Sequence, residues 1–241
     1  MGKAEWSTAA SWIWRGERMK RRVAILISGR GSNMAALIKA AVAEDYPASI
    51  AVVISNRADA AGLGRAKANG VPTAVVESTP FGKDRAAFEH ALQTVLDQHS
   101  IELICLGGFM RLFTAAFVQR WYGRMLNIHP SLLPSFPGLD PHGQALRAGV
   151  KISGATVHFV TAETDAGPIL MQGAVAVSDH DTAETLAERI LEVEHRIYPD
   201  ALRLLATGAV RLEGGICKTP ESAGSGNFLI SPVASAEGSS S

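Results

Sequence analysis

The sequence predicts an α/β protein built on one open, mostly parallel, twisted sheet of about seven strands, with helices on both faces and a Rossmann-like amino-terminal half. Three observations carry that expectation. Short apolar runs such as Val23 to Ser28 and Leu103 to Leu106 are continuous rather than alternating, the mark of strands covered on both faces. Longer stretches of helical pattern separate them, as expected for parallel strands joined by crossovers. A glycine-rich turn, Gly29 to Gly31, joins the first run to the first helix, and ligands of open α/β sheets lie at such strand ends.

Taken in order, Val23 to Ser28, Ile50 to Ser55, Thr73 to Val76, Leu103 to Leu106 and Met125 to Ile128 are the expected strands. Met34 to Ala43, Ala60 to Ala68 and Arg85 to Gln98 are the helices between them. Gly154 to Val160 and Ala174 to Val177 add two more strands. A long helix follows, opened by Asp181 with Glu184 in the spacing of a capping box. Leu186, Ile190, Val193 and Ile197 mark its buried face, and Pro199 should kink or restart it.

No repeat or linker divides residues 21–215, which read as one domain. Residues 1–20 read as an amino-terminal extension, either preceding a natural start at Met19 or forming a short helix that uses Trp6, Trp12 and Trp14 to cover the core. Residues 216–241 read as a flexible tail, because from about Ser222 the chain turns to Ser, Ala and Gly, which bury too little apolar surface to offset ordering entropy.

The 23 basic residues balance 23 acidic ones and are spread along the chain, so the basic patch of a nucleic-acid or membrane-surface binder is absent. Two cysteines, Cys105 and Cys217, suggest no disulfide framework and fit a reducing cytoplasm. No apolar run is long enough to span a bilayer, and no secretion signal is legible.

Two segments carry candidate chemistry. In Gly29, Arg30, Gly31, Ser32 and Asn33 the glycines let the backbone approach a ligand, while free amides, the helix dipole and the Ser32 hydroxyl suit a phosphate. Ser32 or Asn33 could equally cap the helix. In Met125 to Pro130 side chains alternate, so Asn127 and His129 share a face about 7 Å apart at a strand end that proline terminates. An amide donor beside an imidazole suits a developing oxyanion; the plainer alternative is a core histidine bonded to backbone. Asp165, in the polar loop Thr161 to Pro168, could reach His129 and hold it protonated, or be an ordinary turn carboxylate.

Read in order, the Ser28 to Asn33 turn, Gly108 to Phe113 (GFMRLF), Leu126 to Gly138 (LNIHPSLLPSFPG), Gly154 to Ile169 (GATVHFVTAETDAGPI) and Glu194 to Pro199 (EHRIYP) resemble the formyl-tetrahydrofolate transferase superfamily. The resemblance covers about residues 21–215, and the S-G-x-G-S-N turn points to its glycinamide ribonucleotide branch. It implies direct transfer of a formyl group from 10-formyltetrahydrofolate to the glycyl amine, with no metal and no covalent enzyme intermediate. Small molecules would be the partners, with no nucleic acid or membrane, for a monomer or homodimer.

Carried over by position, Asn127, protonated His129 and Asp165 are the implied catalytic residues. Gly31, Ser32 and Asn33 would hold the ribonucleotide phosphate and Glu194 its sugar or glycinamide end. Arg85, Met110, Arg111, Leu112, Phe113, Asn127 and the loop Thr161, Ala162, Glu163, Thr164 and Asp165 would hold the folate. Asp140, Pro141 and Leu191 depart from the family pattern and put peripheral contacts in doubt. Related deformylases and transfer-RNA formyltransferases would be expected to carry an extra domain, and a non-catalytic phosphosugar-binding module would leave Asn127, His129 and Asp165 unexplained.

Overall fold

The computed structural model describes residues 20–219 and 229–231. The extension, residues 1–19, lies outside the described residues, as do 220–228 and 232–241 of the expected tail. The elements run β1 (Arg21–Ile27), α1 (Ser32–Ala41), β2 (Ala48–Ser55), α2 (Ala61–Ala68), β3 (Thr73–Val75), α3 (Arg85–Gln98), β4 (Leu103–Leu106), α4 (Ala115–Arg120) and β5 (Met125–His129). Then follow α5 (Pro141–Arg147), β6 (Ile152–Phe159), β7 (Ile169–Ala176), α6 (Ala183–Ala206), β8 (Arg211–Glu213), β9 (Ile216–Lys218) and β10 (Leu229–Ser231).

The main sheet has the order β10-β7-β6-β5-β4-β1-β2-β3, with β8 and β9 forming a separate hairpin. Strands β1 to β5 pair in parallel. Alternate residues of β1 feed opposite faces: Val23, Ile25 and Ile27 pack with α1 and α6, while Ala24 and Leu26 pack with Leu92 and Leu96 of α3. That two-sided burial is why the run reads as continuously apolar. No helix among the described residues is long and apolar enough to cross a membrane.

The second half departs from the parallel pattern, since β6, β7 and β10 are antiparallel to their neighbours. The link from β6 to β7 is too short for a crossover. Strand β7 begins at Ile169, before the expected Ala174, and β9 and β10 are strands lying beyond residue 215.

Two local expectations need correction. The cap of α6 is Thr182 with Thr185, whose backbone N–H and hydroxyl exchange bonds at 3.3 and 3.0 Å. Asp181 is instead held by both arms of Arg189 at 2.8 and 2.9 Å. Helix α6 also passes through Pro199 without restarting. Ile197, Tyr198, Ala201 and Leu202 are fully buried on either side of it, and the Tyr46 hydroxyl donates to the Pro199 carbonyl at 2.7 Å, so packing outweighs the missing N–H.

Candidate active site

Two groups of residues gather at the carboxyl edge of the sheet. At the first, Gly31 is the cap residue of α1 in the left-handed region (φ 68), and no side chain caps that helix. Ser32 and Asn33 are therefore its first residues rather than its caps, and the amides of the turn have no side-chain acceptor. A Cβ at position 31 would meet the Met34 methyl at 3.1 Å and the Gly62 Cα at 3.2 Å, so the turn needs glycine for both conformation and space.

Asn33 turns inward and its Nδ2 donates to Glu194 Oε2 on α6 at 2.8 Å, leaving Asn33 Oδ1 without a partner among the described residues. Burial pushes the Glu194 carboxyl up to about 7, with the Asn33 bond pulling the other way. Outside this turn lies a cleft of about 830 Å³ at the ends of β1 to β4, its floor stitched by Ser28, Asn56 and Ser78.

The second group is built by the β5–β6 pair, whose register sets Asn127 opposite His158 and His129 opposite Thr156. Asn127 Nδ2 lies 3.2 Å from His158 Nε2, while His158 Nδ1 lies 3.0 Å from the Phe159 carbonyl. A carbonyl only accepts, so the proton sits on Nδ1 and Nε2 accepts from the Asn127 amide. Burial holds His158 below the ordinary imidazole range, opposed by the Phe159 carbonyl and Asp165, so the ring is neutral near pH 7. Thr156 braces the following turn: its hydroxyl donates to the Ser131 carbonyl at 2.7 Å and accepts from Leu133 N–H at 3.0 Å.

Strand β6 leaves at the far end of β5, yet Asp165 comes back to the site. Its Oδ2 lies 3.4 Å from His129 Nδ1, an ion-pair distance, and its Oδ1 lies 3.7 Å from His158 Nε2. The loop closes by a Phe159 N–H to Pro168 carbonyl bond of 2.9 Å, and Asp165 adopts φ 53 within it. Gly167 lies so flat on the strand that a Cβ would sit 1.7 Å from the Phe159 carbonyl oxygen. On the other side Gly138 N–H donates to Asp165 Oδ2 at 2.9 Å, and the Phe136 carbonyl lies 2.9 Å from His129 Nε2. Each ring nitrogen of His129 thus faces an acceptor, Nε2 the Phe136 carbonyl and Nδ1 the Asp165 carboxylate. With Nε2 occupied by backbone, Nδ1 is the nitrogen turned toward the carboxylate.

Asn127, His129 and Asp165 are therefore brought together, and Gly31, Ser32, Asn33 and Glu194 form the neighbouring group. Met110 (71% exposed) and Leu112 (56% exposed) present apolar surface, with Arg111 on the cleft wall and Phe113 buried in a stack with Phe109 and Phe117. Ala162, Glu163 and Thr164 are exposed, and Thr161 holds the loop through the Glu163 carbonyl at 3.1 Å. Arg85 is exposed at the start of α3, outside the cleft wall. Asp140 and Pro141 are the cap and first residue of α5, and Leu191 lines a cavity of about 390 Å³ beside Glu194. Sequence reading missed His158 and Thr156; their spacing of two on a strand antiparallel to β5 is the signal that could have found them.

A sequence model described as formyl transferase matches residues 21–202. The trifunctional purine biosynthetic protein adenosine-3 of Bos taurus is 52% identical over 84% of this chain, which spans only 20% of that protein's length. Phosphoribosylglycinamide formyltransferase of Bacillus subtilis is 42% identical over 77% of this chain and 94% of its own. Among solved structures, glycinamide ribonucleotide transformylase 1 from Symbiobacterium toebii superposes with a TM-score of 0.80 at 46% identity, covering 84% of this chain and 94% of that one.

Proposed function

The chain belongs to the formyl transferase family, and from that premise we propose that it transfers the formyl group of 10-formyltetrahydrofolate to the glycyl amine of glycinamide ribonucleotide in de novo purine synthesis. The observation that carries this reading is the approach of Asp165 to His129 at 3.4 Å beside Asn127 on the same strand.

The substrate amine attacks the formyl carbon, and the carbonyl π pair moves onto oxygen. The second Asn127 amide N–H donates to that oxyanion, and protonated His129, held between Asp165 and the Phe136 carbonyl, stabilises it by its positive charge; His158 takes the first amide N–H and so fixes which way the second points. As the oxygen pair returns, the bond from carbon to the folate N10 breaks. The amine loses one proton and N10 gains one, so no proton is consumed overall. A doubly protonated His129 cannot accept the departing proton, and water held by Asp165 Oδ1 relays it.

The uncapped amides of Gly31, Ser32 and Asn33 hold the phosphate, as the helix start and its dipole favour. Glu194 meets the sugar or glycinamide end. Arg85, the Met110 to Phe113 segment and the Thr161 to Asp165 loop receive the folate.

The test is loss of the formyl group from 10-formyltetrahydrofolate, followed spectroscopically with glycinamide ribonucleotide or water as acceptor. Turnover only with the ribonucleotide is expected. Turnover in water alone would make the protein a deformylase, and none with either would leave a binding module.

A further inference from the structure

We propose that Gln172 of β7 is a positioning residue for His129, acting through Thr156 and the turn that follows β5. This rests on the reading of His129 as part of the formyl-transfer site. Three strand pairings set up a row across the sheet: His129 stands opposite Thr156, Thr156 opposite Gln172, and Gln172 opposite Ser231 of β10. Directly opposed residues of antiparallel strands lie on one face, so the Thr156 and Gln172 side chains follow that of His129 outward from the site. Strand β10 gives β7 a neighbour on its outer side, and the Gln172 backbone is held from both sides.

Both amide hydrogens of Gln172 point inward. Its Nε2 donates to the Leu133 carbonyl at 2.9 Å and to Thr156 Oγ1 at 3.0 Å. The Thr156 hydroxyl also accepts from Leu133 N–H at 3.0 Å. A hydroxyl has two lone pairs and one proton, so with both lone pairs met by N–H donors the proton has one direction left, toward the Ser131 carbonyl at 2.7 Å. Gln172 thus sets the sense of the whole network. Thr156 is fully buried, so a donor taken from its hydroxyl is not replaced by bulk solvent.

The network ends on the imidazole. Ser131 N–H returns to the His129 carbonyl at 2.9 Å, and Ser131 Oγ donates to the Ser135 carbonyl at 2.6 Å, which closes the turn just before Phe136. The Phe136 carbonyl lies 2.9 Å from His129 Nε2, and Gly138 N–H donates to the Asp165 carboxylate that faces Nδ1. The segment pinned by Gln172 and Thr156 therefore leads directly into the contacts that hold both sides of the ring. Gln172 lines neither the cleft at the ends of β1 to β4 nor the smaller cavity beside Glu194, so its influence on the reaction passes through the ring it helps to aim.

The experiment is a pair of substitutions in the full chain. Gln172→Leu removes both donors at similar volume and should lower kcat about tenfold, while KM for each substrate stays within about twofold. Introduced into His129→Ala, the same change should cost less than about a further twofold, since a residue that acts through His129 has nothing left to aim. Gln172→Met, flexible and equally without a donor, replaces the leucine variant if thermal melts show that variant unfolded. The ring-nitrogen magnetic resonances of His129, assigned by their loss in His129→Ala, read the same geometry without substrate and should shift in Gln172→Leu. Wild-type turnover with unshifted resonances, or a tenfold loss that persists in the His129→Ala background, would overturn the proposal. Shifted resonances in a protein that transfers no formyl group to the ribonucleotide would sustain the positioning role and overturn the function proposed above.

Discussion

The two groups at the sheet's carboxyl edge are built on opposite principles. Around His129 the polar atoms are paired within the protein: imidazole with carboxylate and carbonyl, amide with a second imidazole, carboxylate with a backbone N–H. Around Gly31 they are left open: the helix start has no side-chain cap, Asn33 Oδ1 has no partner among the described residues, and Arg30 is exposed. Chemistry needs groups already oriented when charge develops, so orientation is fixed by internal bonds. Binding draws on groups that gain their partner only from the ligand, and an unpaired amide at a helix start is such a group.

That contrast predicts which kinetic constant each variant moves. His129→Ala should lower kcat by at least ~10² with little change in KM, and near wild-type turnover would remove His129 from the chemistry. His129→Gln, which donates but cannot relay a proton, should keep more turnover than alanine; equal losses would route the proton through His129 itself.

A smaller effect is expected one layer out. His158→Phe removes the acceptor that orients the Asn127 amide and should cost roughly tenfold in kcat, by misplacing a donor rather than deleting it. His158→Gln restores an acceptor and should recover part of the loss; identical values for the two would reduce His158 to a packing residue.

On the binding side, Gly31→Ala forces a Cβ against Met34 and Gly62 at φ 68. It should raise KM for the ribonucleotide about fivefold while kcat stays within about twofold. A fall in kcat alone would break the division between the two groups.

The last effect is read in stability. The folded Glu194 carboxyl is raised to about 7 from an ordinary 4.5. Below pH 4.5 folded and unfolded chains both hold the proton; between 4.5 and 7 only the folded chain does, so stability falls as pH rises through that window and is flat above it. The penalty is on the order of 3 kcal/mol at most. Glu194→Gln should flatten this slope in thermal melts between pH 4.5 and 8, and an unchanged slope would place the titration elsewhere.

Much of this was legible because burial and chemistry leave periodic traces. Two-sided burial wrote β1 and β4 as unbroken apolar runs, and alternation in β5 alone places Asn127 and His129 on one face. His158 left no such trace: a lone histidine in an apolar strand gains meaning only from the antiparallel register that sets it opposite Asn127. The return of Asp165 depends on a left-handed residue and on Gly167 lying flat on β6, close approaches that residue types alone do not specify. The restart allowed for at Pro199 does not occur because helix propensity is local, whereas the burial that overrides it comes from the whole sheet.

Helix α6 gives the molecule a fixed length scale. Glu194 meets the β1–α1 turn through Asn33, and one turn on, the Tyr198 hydroxyl reaches the Leu106 and Leu126 carbonyls at 3.0 and 3.1 Å, at the end of β4 and near the start of β5. If the ribonucleotide binds as proposed, this one helix sets the span from its phosphate to the formyl carbon. An analogue with one extra methylene between phosphate and amine could keep every contact at one end and still arrive about 1 Å out of place, a displacement that can cost ~10² in rate. The protein would reject it by measuring it, with no contact dedicated to the purpose.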